Sequence, residues 1–126
     1  MTKANEVLVD FVVHDESTKE WRLVLVEEGP WLTSEYDELK RIQDRLYGCL
    51  DAVLDGHLFE AYPETLGKNI VVQLDCYDLP RAEVEGFFER FSTGILLSHD
   101  YRSAIESKRY FGAITFAIDF GILHLP

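Results

Sequence analysis

The chain has 126 residues, 47% of them apolar and 13% aromatic, and its 12 Lys and Arg face 23 Asp and Glu for a net charge of −11. That is enough apolar material for one core without a disulfide or metal staple. The acidity, concentrated in residues 1–66 with 15 acids against 6 bases, argues against nucleic-acid binding, because no basic patch is present to release counterions from a phosphate backbone.

No run of about 18 apolar residues is long enough to span a bilayer. The polar start, Met1 to Asn5, does not read as a targeting peptide. The expected place is the cytoplasm, without a membrane partner. Cys49 and Cys76 fall in separate elements, and they read as two buried free thiols rather than as a zinc or disulfide framework.

Glu6 to His14 reads as a strand with Val7, Val9, Phe11 and Val13 on the core face and Glu6, Leu8, Asp10, Val12 and His14 on the other. A polar turn, Asp15 to Lys19, leads to a second strand, Trp21 to Glu27, and the two make a hairpin. Gly29 and Pro30 stop it, and Trp31 and Leu32 lead into the most legible segment, an amphipathic helix from Ser34 to Gly56. Its stripe is Tyr36, Leu39, Ile42, Leu46, Leu50, Val53 and Leu54. Ser34 suits the N-cap and Gly56 the left-handed C-terminal position.

A helical turn then ends at Pro63, followed by a loop with Gly67. Asn69 to Tyr77 alternates as a third strand. Pro80 opens a second helix with the stripe Val84, Phe87, Phe88 and Phe91, which Gly94 is expected to end or break. Ile95 to Ile105 supplies a further helix of about three turns, and Arg109 to Phe120 is read as a long final strand. The order ββαβα(α)β implies a single two-layer α+β domain, a four-stranded sheet with helices packed on one face.

The pattern of Asp10 to Asp15, Leu23 to Val26, the spaced Leu39, Ile42, Gln43, Leu46 and Leu50, and then Asp55, Gly56, Leu58, Tyr62, Pro63, Gly67 and Lys68 resembles a family of small uncharacterised bacterial proteins, a domain of unknown function. The likeness runs from about residue 10 to residue 76. It implies a stand-alone bacterial cytoplasmic domain and brings no assigned activity and no catalytic residues.

No catalytic or phosphate-binding motif is present. His14, His57, His99 and His124 have no metal-ligand spacing, and GxSxG, GxGxxG and GxxxxGK[ST] are missing. No catalytic residue, metal site or cofactor is therefore assigned. One constellation stands out. If the apolar strand faces lie under the helices, Asp10, Asp75 and Asp119 share the opposite face with Arg22, Gln73 and Thr115. Three carboxylates there would raise one another's pKa or hold a divalent cation.

That face also carries Leu8, Val12, Val24, Val26, Val71, Phe111, Ala113 and Ala117, too apolar for an open sheet in a monomer. A second copy is the simplest cover. The leading expectation is thus a non-enzymatic acidic interaction module, an accessory or immunity-type protein acting as a homodimer, with a basic protein partner a further candidate. The alternatives are a small enzyme or ligand-binding domain using Asp10, Arg22, Asp75 and Asp119, and a mimic of DNA charge.

Overall fold

In the computed structural model, which describes residues 9–121, the strands are β1 (Phe11–Asp15), β2 (Glu20–Glu28), β3 (Ile70–Tyr77) and β4 (Ile114–Gly121), and the helices are α1 (Glu35–Leu54), α2 (His57–Ala61), α3 (Arg81–Leu97) and α4 (His99–Ser107). Helix α1 forms where its stripe places it, with Ile42, Leu46, Leu50 and Val53 buried, although Tyr36 at its first turn is 73% exposed. Ser34 Oγ accepts the Asp37 amide at 3.1 Å, satisfying one of the orphan donors of the first turn. Glu35, Asp37 and Glu38 stand at the positive end of the dipole. At the other end Gly56 takes φ +90°, and a Cβ there would fall 2.8 Å from the Tyr110 ring, so both the dihedral and the space require glycine.

The sheet runs in the order β1-β2-β3-β4, with β1 antiparallel to β2 and the other two pairs parallel. The hairpin turn is held by Asp15, whose carboxylate accepts the Ser17 amide and hydroxyl at 3.0 and 2.8 Å. Both parallel connections step the same way across the sheet. When two such crossovers share the usual right hand, their helices fall on the same face. The core has that form: Leu23, Leu25, Ile70, Val72, Leu74 and Cys76 of the sheet are buried against Ile42, Leu46, Leu50 and Val53 of α1 and Val84, Phe87, Phe88 and Phe91 of α3. The chain is therefore the two-layer α+β architecture expected, with one sheet face left without helices among the described residues.

Three elements differ from expectation. Strand β1 has the opposite phase: Phe11 pairs with Val24 and Val13 with Arg22, which places both apolar side chains on the open face. Val12 turns toward the core, and His14 stacks on Trp21 with ring centroids 4.6 Å apart. Phe11, Val12 and Val13 are consecutive apolar residues, so alternation alone cannot set the phase, and pairing with β2 decides it. Glu6, Val7 and Leu8 lie outside the described residues.

Strand β4 starts at Ile114, not Arg109. The preceding segment crosses the loop before β3 so closely that Gly112 donates its amide to Lys68 O at 2.7 Å, and a Cβ on it would meet Gly67 O at 2.8 Å. Phe111, expected on the open face, is instead buried in the core. Finally, α3 continues through Gly94, because Ile95 beyond it is buried and tertiary packing outweighs the weak helix propensity of one glycine. Among the described residues no helix is long and apolar enough to cross a membrane.

Candidate functional site

Strand register assembles the open face in rows: Arg22 beside Val71 and Thr115, Val24 beside Gln73 and Ala117, Val26 beside Asp75 and Asp119. Phe11 and Val13 extend it at the β1 side and are 59% and 43% exposed. Arg22 donates to Gln73 Oε1 at 2.8 Å, and Gln73 Nε2 donates to Asp75 Oδ1 at 2.7 Å. Arg22 also meets Glu20 at 3.1 Å and Asp15 at 3.7 Å. Its guanidinium is thus spent on the protein's own acceptors. Asp75 and Asp119 are direct cross-strand partners, an arrangement in which like charges repel. The face therefore divides into a half on β1 and β2 that is apolar at Phe11, Val13, Val24 and Val26 but interrupted by Arg22 with Glu20 and Asp15, and an acidic corner on β3 and β4.

Arg22, Asp75 and Asp119 are where sequence reasoning placed them, but Asp10 is not. The phase of β1 turns it toward the helices, where its Oδ2 accepts the Val26 amide at 2.7 Å and Arg45 Nη2 at 2.9 Å. The three-carboxylate cluster does not form. Among the described residues no group of three or more His, Cys, Asp or Glu side chains is arranged to hold a metal ion. The enzyme reading accordingly loses one of its four residues.

What sequence reasoning missed is the charge network on the helix side. Glu27, at the end of β2, is only 3% exposed, yet it accepts Arg41 Nη1 and Nη2 at 2.9 and 2.6 Å and Arg45 Nη1 at 2.6 Å. Arg45 also donates to Val26 O at 3.0 Å. Arg41 reaches Glu38 at 3.0 Å, and the other Glu38 oxygen accepts the Thr33 hydroxyl at 2.9 Å. Glu38, Arg41 and Arg45 follow the three- and four-residue spacing of a single helix stripe. That spacing is visible in the sequence, but nothing local shows that the end of β2 lies beneath it. The network fastens the end of β2, the approach to β1 and the loop before α1 to one another, which is structural work.

The same contacts set its acid response. Burial tends to raise the Asp10 pKa, but the Val26 amide and Arg45 outweigh it and hold the carboxyl below its ordinary 3.8. The Thr33 hydroxyl and Arg41 hold Glu38 below 4.5. Carboxyls depressed in the fold stabilise it fully above their ordinary pKa values and lose that contribution as pH falls through the folded ones. Tm should therefore drop below pH 3.8, and less steeply in Asp10→Asn, as thermal melts across pH will show.

Cys49 and Cys76 are both buried and unpaired with each other. Burial, reinforced at Cys76 by Glu27, Asp75 and Asp119, pushes both thiols up to about 12. Neither supplies thiolate for nucleophilic chemistry at neutral pH. The grooves on the helix side include a shallow one between α1 and α3 lined by Tyr36, Leu39, Gln43 and Phe87 and a larger one between α3 and β4. No family model, curated protein or solved structure matches the chain, so its function is to be sought in the open face, the sheet edges and the grooves themselves.

Proposed function

We propose that the protein is a non-enzymatic interaction module that acts as a homodimer, with the twofold contact on the open sheet face. The observation that carries this reading is the pair Phe11 and Val13, 59% and 43% exposed beside the buried Val24 and Val71, on the sheet face that the described helices do not cover. An exposed apolar patch on a folded chain marks a contact surface. A twofold contact is self-complementary, so each copy brings the same patch. Centred on Phe11 and Val13, it joins the apolar halves and leaves Asp75 and Asp119 at the periphery, where two chains of charge −11 repel least.

In this reading the acidic corner remains available for a basic protein partner. The role is that of an accessory or immunity-type protein, a reading supported by the net charge of −11; the resemblance to small bacterial proteins implies only a stand-alone domain of the bacterial cytoplasm. Sedimentation at micromolar concentration should give twice the chain mass of 14.5 kDa. Phe11→Asp, at an exposed position, should convert the dimer to monomer without loss of Tm beyond a few degrees. A clean 14.5 kDa species from the unaltered chain overturns the reading.

A further inference from the structure

Strand β4 closes the sheet on one side, and among the described residues no strand lies beyond it. Exposed edges are ordinarily blunted by Lys, Pro, a bulge or shortness. The eight residues Ile114–Gly121 contain no Lys, Arg or Pro, and their one charge is Asp119. Ala113 O accepts the Ile70 amide across the β3 boundary. Since backbone groups alternate along a strand, those of Thr115, Ala117 and Asp119 face β3, and those of Ile114, Phe116, Ile118 and Phe120 face outward.

Along this edge on the helix side runs a groove of about 610 Å³, floored by Phe88, Phe116 and Ile118, bordered by Gly86 and rimmed by Glu85 and Glu89. On the opposite face Asp119 and Asp75 lie side by side. Glu89 on one side and Asp119 on the other thus flank the edge, with apolar surface between, whereas Glu85 is already paired with Arg81 at 3.1 Å, whose guanidinium lies over the Phe120 ring.

We propose that β4 accepts an extended segment of a partner protein by strand addition, and that this segment alternates apolar with basic residues. The outward amides and carbonyls supply the ladder, and the pleat sends alternate side chains to either face. Apolar side chains, or the stems of Lys and Arg, rest on Phe116 and Ile118 while cationic heads reach Glu89 and Asp119. A second copy does not fit. It would bring Asp119 and no base on its own β4, and would set Glu89 of α3 against its counterpart. The contact on the open face leaves this edge free, so either proposal stands or falls without the other.

The test adds to the full chain a peptide alternating Val and Arg, matched to the eight-residue length of β4, with two controls: the same composition with its arginines in one block, and an alternating version N-methylated at every second bond. The alternating peptide should slow hydrogen exchange at the Phe116 and Ile118 amides by about tenfold or more at saturation, as strand pairing requires. Neither control should do so. Glu89→Lys with Asp119→Lys, both exposed, should weaken binding about tenfold or more, with Tm confirming the fold. Equal binding of the blocked peptide without amide protection, no protection at millimolar peptide, or protection that appears with protein concentration alone would each overturn the proposal.

Discussion

Leu46→Ala is expected to destabilise the fold by ~2–5 kcal/mol, read as a shift in denaturation midpoint at unchanged m-value. Leu46 is fully buried in the middle of α1, within the core that includes Leu23, Leu25, Val72 and Leu74 of the central strands. Truncation removes buried methyl and methylene groups and leaves a cavity that two rigid layers relax into only partly, and the spread in the estimate is the extent of that relaxation. A loss below about 1 kcal/mol would mean that α1 does not press on the sheet as described.

Glu27→Ala should cost about 2–4 kcal/mol, although it removes only one methylene of apolar surface. The carboxylate is nearly fully buried and takes three short hydrogen bonds from Arg41 and Arg45. Removing it leaves two guanidinium groups facing one another without their shared acceptor. The cost falls somewhat short of a fully buried pair because the Arg41 side chain is 49% exposed and water can replace part of what it loses. A double-mutant cycle with Arg45→Ala separates this from simple truncation: the two losses should fall well short of adding, by more than ~0.5 kcal/mol. Additive losses would mean that the ion pairs contribute nothing beyond packing.

The parts of the fold that sequence made legible are those in which one interaction dominates. The α1 stripe, its Ser34 cap and the alternation of β2 and β3 are local patterns that tertiary contacts reinforce. From that alternation the shared face of Arg22, Gln73 and Asp75, with Asp119 of β4, was legible, but not which strand lies beside which. Where two local signals competed, partners distant in sequence decided. Phe11, Val12 and Val13 offered either phase for β1, and misplacing that phase carried Asp10 to the wrong layer. The Glu27 network was hidden for a related reason: Arg41 and Arg45 look like solvent-facing charges until the end of β2 is known to lie beneath them. The irregular passage at Gly112 depends on how closely two loops cross, which no periodicity records.

The order in which the strands join has a kinetic consequence. Only the β1–β2 hairpin pairs neighbours in sequence; β3 must find β2 across α1, and β4 must find β3 across α3 and α4. Such non-local pairing makes folding slow for a chain of this size, since loop-closure entropy is spent before the contacts reward it. During synthesis from the N-terminus, β3 emerges, docks on β2 and waits for β4 with one side of Ile70–Tyr77 unpaired. In that interval a strand that the finished fold largely buries is an exposed edge, so truncation ahead of Ile114 should yield aggregation rather than a smaller folded unit.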